Sequence, residues 1–159
     1  MKTYKKPFVF VVEDNEAYAQ MIGFQLEQKR FQVEIFNSGE ECLQNLFKSP
    51  DIIVLDYMLG SMDGIEVLKQ VKAINPDIQV IFLSAQDNIL IGINSLKYGA
   101  YDYVTKDDDA FLNLSLAITK ILMLKSIVNT ETQKDVFKKA AIAMLFVVTA
   151  TLLFLKFIY

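Results

Sequence analysis

Short apolar runs alternate with segments of helical periodicity along this chain, and that alternation restricts the folds open to it. The runs predict five strands, at residues 8–12, 31–36, 52–55, 78–83 and 101–104. The segments that follow them repeat apolar residues at three- and four-residue intervals, as helices with one buried face do. Five strands alternating with five helices predict an α/β fold, a parallel sheet covered by helices on both faces.

Residues that favour helix ends mark where the helical segments begin. Asn15, Ser38, Asp63 and Asp87 can each cap the N terminus of a helix, and Glu41 completes a capping box with Ser38. These four helices are expected to end near residues 30, 49, 75 and 99. A fifth helix is expected to run from about residue 107 to beyond residue 124.

Composition limits the chemistry that the chain can perform. With 53% hydrophobic and 22% charged residues, the chain can bury a core. It contains no His, the commonest general base and metal ligand, so a metal would have to be held by oxygen. Cys42 is the single Cys, which rules out an internal disulfide and fits a reducing compartment.

Charge is unevenly distributed along the chain. Residues 1–133 carry 12 Lys/Arg and 18 Asp/Glu, whereas residues 134–159 carry 4 Lys and 1 Asp. An acidic body is a poor match for nucleic acid, whose phosphates need a basic face. The lysines near the N terminus are not followed by an apolar run, so no signal peptide is expected.

Polar residues follow the predicted strands at the edge of the sheet where α/β folds bind ligands. Glu13 and Asp14 follow the first strand, Asp56 the third, Ser84 the fourth and Lys106 the fifth. Each residue alone has an ordinary explanation as a helix cap, a turn residue or a surface charge. Their joint occurrence after the right strands predicts a functional site.

The residue types at this edge indicate phosphoryl transfer. Three carboxylates this close repel each other unless one is protonated or a cation lies among them, and Mg²⁺ is the natural ion where only oxygen ligands are offered. Asp56 would then act as a nucleophile towards a phosphoryl group. Lys106 would neutralise charge on the transferring oxygens, and Ser84 would donate a hydrogen bond to them.

Five short motifs stand in order along residues 7–125. They read V-V-E-D-N at 11–15, I-V-L-D-Y-M-L at 53–59, M-D-G-I-E-V-L at 62–68, L-S-A at 83–85 and G-A-Y-D-Y-V-T-K at 99–106. This set resembles the receiver domain of two-component response regulators. The resemblance implies a flavodoxin-like, doubly wound five-stranded parallel sheet in the order 2-1-3-4-5 with five helices.

The resemblance also implies a metal site and a phosphoryl donor. Asp14, Asp56 and the backbone carbonyl of Met58 would ligate Mg²⁺, and Glu13 would complete the acidic pocket. Asp56 would be the phosphoacceptor, and the donor would be a histidine kinase or a histidine phosphotransfer protein.

Other residues resemble the switch of the family. Ser84 and Tyr103 match the pair in which the hydroxyl moves to the phosphoryl group while the aromatic ring turns inward, and Lys106 matches the phosphate-contacting lysine. Tyr103 also fits the ordinary pattern of a half-buried strand aromatic. The chain departs from the family at Gly60 and Asp107, where a proline is usual.

The C-terminal residues 140–159 have a different character, A-A-I-A-M-L-F-V-V-T-A-T-L-L-F-L-K-F-I-Y. A helix of this length spans about 30 Å, roughly the hydrocarbon thickness of a bilayer. Three lysines, Lys134, Lys138 and Lys139, precede it and favour a cytoplasmic location for the residues before the tail. These features predict a C-terminal anchor on the cytoplasmic face of the cell membrane. A helix that packs against another subunit or covers a hydrophobic groove is the alternative.

These predictions divide the chain into a receiver domain at 1–127, a linker or helix extension at 128–139 and a transmembrane anchor at 140–159. Too few residues lie outside the receiver for a helix-turn-helix module, so output through protein contacts at the membrane is expected rather than DNA binding. A homodimer through the fourth helix, fifth strand and fifth helix is left open, as is the downstream partner.

Two other function classes compete with a phosphorylated receiver. One is a scaffold or interaction domain whose pocket is never phosphorylated. The other is an aspartate-nucleophile phosphatase, which generally needs a second Asp where this chain has Met58, a side chain that exchanges no proton. We therefore expect no enzymatic activity beyond acceptance and loss of the chain's own phosphoryl group.

Overall fold

The structure is a computed structural model that describes residues 6–60, 62–85 and 89–158, and the side chains of these except residues 89, 129, 133 and 145–158. Its contacts divide the chain into two compact units, residues 1–118 and residues 119–159.

The elements follow one another in the predicted alternation. They are β1 (Phe8–Val12), α1 (Glu16–Gln28), β2 (Gln32–Phe36), α2 (Gly39–Gln44), a 3₁₀ turn (Leu46–Lys48), β3 (Ile52–Leu55), β4 (Met58–Leu59), β5 (Met62–Asp63), α3 (Gly64–Ile74), β6 (Gln79–Ser84), α4 (Ile89–Lys97), β7 (Asp102–Thr105) and α5 (Ala110–Ile158).

Five of the strands form one parallel sheet in the order β2-β1-β3-β6-β7. This confirms the predicted α/β fold and strand order. No residue of β1 or β3 is more than 7% exposed, because these two strands are apolar throughout and lie inside the sheet. A fully buried Ile or Leu contributes about 1.5–3 kcal/mol, so the central strands supply much of the stability of the first unit.

The pair β4–β5 was not predicted. Met58 pairs with Asp63 and Leu59 with Met62, and the two strands run antiparallel. Gly60 lies between them with a φ of +78°, a left-handed backbone that Gly adopts without steric cost. Strands of two residues are too short to give a periodic pattern in the sequence, which is why this hairpin was missed.

Three predicted helix caps are present. Asn15 Oδ1 accepts from the Tyr18 N–H at 3.0 Å, Ser38 Oγ from the Glu41 N–H at 3.2 Å, and Asp63 Oδ1 from the Glu66 N–H at 2.9 Å. These bonds satisfy N–H groups that have no partner within the helix. Asp87, predicted to begin α4, lies outside the described residues.

The predicted helix from Ser38 to about residue 49 was too long. Helix α2 ends at Gln44, and a 3₁₀ turn continues to Lys48. The Asn45 side chain donates to the Glu41 carbonyl at 2.8 Å and so satisfies a carbonyl in the last turn of α2. Ser49 then takes a left-handed φ of 55°, which ends the turn before β3.

The first turns of α5 contribute Ala110, Leu114, Ala117 and Ile118 to the buried core, each at most 5% exposed. The helix begins three residues later than expected. Asp107 lies before it, where its Oδ1 accepts from the Asp109 N–H at 3.0 Å.

The second unit consists of the continuation of α5. By length and composition, one stretch with described side chains, Ala110–Met144, could cross a membrane. Its first turns belong to the core of the first unit, which also accounts for their apolar sequence. The backbone of 140–158 is helical, but the side chains beyond Met144 lie outside the described residues. The membrane anchor at 140–159 therefore stays a prediction.

Candidate functional site

The backbone of the sheet places three of the predicted site residues at one edge. The N–H groups of Glu13, Asp56 and Lys106 each donate to a carbonyl of a neighbouring strand, at 3.0, 2.9 and 2.9 Å. Each residue follows directly after its strand. Because all five strands are parallel, their carboxyl ends meet at this edge, as the sequence predicted.

The side chains of these three residues form one charged cluster. Lys106 Nζ lies 2.6 Å from Glu13 Oε2 and 2.7 Å from Asp56 Oδ2. Glu13 is 4% and Asp56 is 7% exposed, so both carboxylates are shielded from water and lie close to the ammonium. Lys106 lies beside Asp56 although Asp107 replaces the usual proline, and every peptide bond in the described residues is trans.

Burial and pairing act together on the ionisation of this cluster. Burial raises the pKa of the Glu13 carboxyl above its ordinary value, because the hydrogen bond from Lys106 offsets only part of the desolvation. Burial alone would lower the pKa of Lys106. Its hydrogen bonds to Asp56 and Glu13 outweigh that effect and raise this pKa. Lys106 is therefore charged at neutral pH.

Asp14 completes an acidic group that fits a divalent cation. Glu13, Asp14 and Asp56 each offer a carboxylate oxygen, and these oxygens all lie within 4.8 Å of one another. Three carboxylates and one ammonium carry a net formal charge of −2, which one divalent ion would neutralise. Oxygen donors of this kind, one of them exposed to water at Asp14, suit Mg²⁺.

The start of α3 is hydrogen-bonded to the loop after Asp56 and packs closely against it. Asp56 Oδ1 accepts from the Tyr57 N–H at 2.6 Å, and the Gly64 N–H donates to the Tyr57 carbonyl at 2.8 Å. A Cβ at Gly64 would lie 2.5 Å from the Asp56 carbonyl oxygen and 2.7 Å from Phe82 Cε1. Only a residue without a Cβ allows the helix to approach this closely. The sequence had not predicted this role for Gly64.

Comparison with known proteins agrees with this geometry. A family model described as the response regulator receiver domain matches residues 9–115. The chain belongs to this family. It is a receiver domain of the kind found in two-component signalling, and the members of this family work with histidine kinases or phosphotransfer proteins.

Relatives and solved structures extend the comparison. The transcriptional regulatory protein CssR of Bacillus subtilis is 32% identical over 118 residues, which cover 73% of this chain and 51% of CssR. A receiver domain protein from Clostridium thermocellum matches with a TM-score of 0.71 and 26% identity over 77% of this chain and 98% of that one. The BeF₃-activated DrrB receiver domain matches with a TM-score of 0.68 and 26% identity over 75% of this chain and 99% of that one.

This receiver domain spans about half of CssR and less than half of other curated relatives. The activities of those whole proteins therefore do not transfer to it directly.

Ser84 and Tyr103 occupy the positions that the resemblance implied for the switch pair. Ser84 is fully buried at the end of β6, and its carbonyl accepts from the Lys106 N–H at 2.9 Å. The half-buried Tyr103 ring stacks on Phe82 with 6.3 Å between centroids and faces Gly92 of α4. Such packing fits a switch residue and an ordinary strand aromatic equally, so the switch role stays a prediction.

Met58 lies two residues after Asp56, at the start of β4, with a side chain that is 55% exposed. The role of its backbone carbonyl as a metal ligand stays a prediction.

Tyr18 is a neighbour of the site that the sequence did not suggest. The centroid of its ring lies 4.7 Å from Lys106 Nζ. Tyr18 follows Asp14 by four residues, and the first turn of α1 begins at this edge. This four-residue spacing from Asp14 is the sequence feature from which the position of Tyr18 near the site could have been predicted.

Proposed function

We propose that this receiver domain is a phosphorylation switch in which Asp56 accepts a phosphoryl group from a histidine kinase or a histidine phosphotransfer protein. The observation that supports the proposal is the shielded Asp56 carboxylate, bonded to Lys106 at 2.7 Å and grouped with Glu13 and Asp14 within 4.8 Å. The nucleophile Asp56 therefore lies next to a cation, the Lys106 ammonium, and next to further oxygen donors for a metal.

The residues of the site have separate parts in the transfer. An oxygen of Asp56 forms a bond to phosphorus while the bond from phosphorus to the donor imidazole nitrogen breaks, and the nitrogen keeps the electron pair. Lys106 neutralises negative charge on the transferring oxygens, and the Ser84 hydroxyl donates a hydrogen bond to them. Asp14, Asp56 and the Met58 carbonyl, beside Glu13, would hold Mg²⁺, which would supply further positive charge at the site.

The output is proposed to be protein contact rather than DNA binding. Apolar side chains on α4 and the first turns of α5 are exposed, each by at least half: Leu90, Ile93, Leu96, Leu112 and Leu116. With β7 these helices form the face through which a homodimer could assemble. The acidic balance of residues 1–133 disfavours nucleic acid as the partner.

The location is proposed to be the cytoplasmic face of the cell membrane. Residues 140–155 carry no charge, and Lys134, Lys138 and Lys139 precede them. The helical backbone through Ile158 is compatible with a span of this length.

A scaffold that is never phosphorylated is the second candidate. The bonds from Lys106 to Glu13 and Asp56 neutralise much of the buried charge within the chain itself, so the pocket has a stable form without a ligand. Catalysis on other molecules is not proposed, because Met58 stands where a phosphatase would need a proton donor.

Phosphorylation distinguishes the two candidates. The full chain, kept in mild detergent, is incubated with Mg²⁺ and acetyl phosphate and examined by intact-protein mass spectrometry. A gain of about 80 Da, lost in Asp56→Asn and kept in the matched surface variant Asp77→Asn, supports the switch. No gain, together with no spectral change on adding beryllium fluoride and Mg²⁺, would favour the scaffold.

A further inference from the structure

Tyr18 has a position that packing of the core does not explain. The buried face of α1 consists of Ala19, Ile22, Gly23 and Leu26, whereas Tyr18 is only half-buried and lies towards the acidic site. Its ring centroid is 4.7 Å from Lys106 Nζ, within the distance at which an ammonium is attracted to an aromatic face. Lys106 therefore has an aromatic partner in addition to its two carboxylates.

The contact depends on the ring rather than on a phenolate charge. Burial raises the pKa of the Tyr18 hydroxyl, and the neighbouring carboxylates add to that although Lys106 opposes it. The phenol is therefore neutral at physiological pH. The attraction to Lys106 is that of a cation to a neutral ring, which phenylalanine reproduces and an aliphatic side chain does not.

We propose that Tyr18 is a positioning residue that holds the Lys106 ammonium beside Asp56 during phosphoryl transfer. This inference rests on the proposed function. As the Asp56 oxygen becomes bonded to phosphorus, the ammonium must exchange its 2.7 Å bond to that carboxylate for contacts with the transferring phosphoryl oxygens, so one of its ionic partners changes during the reaction. The Tyr18 ring is unchanged by the reaction and keeps the ammonium at the site.

The test compares Tyr18→Phe and Tyr18→Leu in the full chain, each with Lys106 and with Lys106→Ala. Leucine retains apolar bulk that excludes water but removes the aromatic face. The initial rate of phosphorylation by acetyl phosphate with Mg²⁺ is expected to fall about two- to five-fold in Tyr18→Leu, the range of a cation–ring contact at a partly exposed site. Tyr18→Phe is expected to keep the original rate, and in the Lys106→Ala chain Tyr18→Leu is expected to change nothing.

A second measurement reads the contact without phosphorylation. In a chain with ¹³C-labelled lysine, the ε-protons of Lys106 are expected to show an upfield ring-current shift that Tyr18→Phe keeps and Tyr18→Leu loses. Equal phosphorylation rates in the original chain and Tyr18→Leu, or an equal loss with and without Lys106, would overturn the inference alone. If the original chain takes no phosphoryl group, the proposed function itself has failed and the inference fails with it.

Discussion

Replacing Asp14 by Asn tests the acidic site by its effect on stability. The exposed Asp14 carboxylate lies within 4.8 Å of the carboxylates of Glu13 and Asp56, and Lys106 bonds to those two. In the absence of a metal, Asp14 adds repulsion to the folded state. Asn keeps the shape of the side chain and removes the charge. We therefore expect Asp14→Asn to stabilise the metal-free chain and to remove its stabilisation by Mg²⁺.

Coulomb's law gives the size of the first effect. At the 4.8 Å limit, two carboxylates repel by about 1 kcal/mol in water and by about 3.5 kcal/mol at an effective dielectric constant near 20. Because Asp14 is exposed and Lys106 offsets part of the charge, we expect a gain of about 1 kcal/mol. A metal at about 100 times its dissociation constant stabilises the folded chain by about 2.7 kcal/mol, so the original chain should become the more stable one in Mg²⁺.

Urea denaturation followed by circular dichroism measures both effects, with and without MgCl₂ at constant ionic strength. The matched control is Glu27→Gln, which removes an equal charge from an exposed position on α1 and should respond to Mg²⁺ as the original chain does. The reasoning is refuted if Asp14→Asn destabilises the metal-free chain, or if the variant gains as much from Mg²⁺ as the original chain.

Three further outcomes are expected. Gly64→Ala should lower the free energy of unfolding by about 1–3 kcal/mol in urea denaturation, because its Cβ would lie 2.5 Å from the Asp56 carbonyl oxygen. A Cβ at Gly92 would have its nearest neighbour, the Tyr103 ring, at 3.6 Å, so Gly92→Ala should not destabilise the fold. Burial raises the pKa of the Cys42 thiol from 9.0 to about 12, so the folded chain binds this proton more tightly than the unfolded chain. The free energy of unfolding should therefore fall by about 1.4 kcal/mol per pH unit between about pH 9 and pH 12, a slope that Cys42→Ala reduces. The full chain should stay in the membrane pellet after carbonate washing and a chain without residues 140–159 should not; release of both would contradict the anchor.

The sheet and most of the site could be predicted from the sequence because both depend on the same apolar runs. β1 and β3 have the predicted bounds, since runs of consecutive buried residues end abruptly at Glu13 and Asp56. In a parallel sheet the first residue after each strand lies at a common edge. Locating the strands was therefore enough to bring Glu13, Asp56 and Lys106 together.

The features that were missed depend on distances that strand patterns do not encode. The β4–β5 hairpin has strands of two residues, and the role of Gly64 follows from how closely α3 approaches the loop after Asp56. The early end of α2 depends on a side-chain bond from Asn45 that competes with continued helix. Each depends on a particular local contact and leaves no periodic pattern in the sequence.

The site therefore combines two kinds of positioning. Backbone hydrogen bonds fix where Asp56 and Lys106 leave the sheet, so a missing proline at Asp107 does not displace the lysine. The direction of the long Lys106 side chain is set instead by its partners, which are Glu13 and Asp56 directly after their strands and Tyr18 on α1. Phosphorylation would change the charge of Asp56 but not that of Glu13 or the Tyr18 ring. The partners that do not change are the ones that can keep Lys106 in place through the reaction.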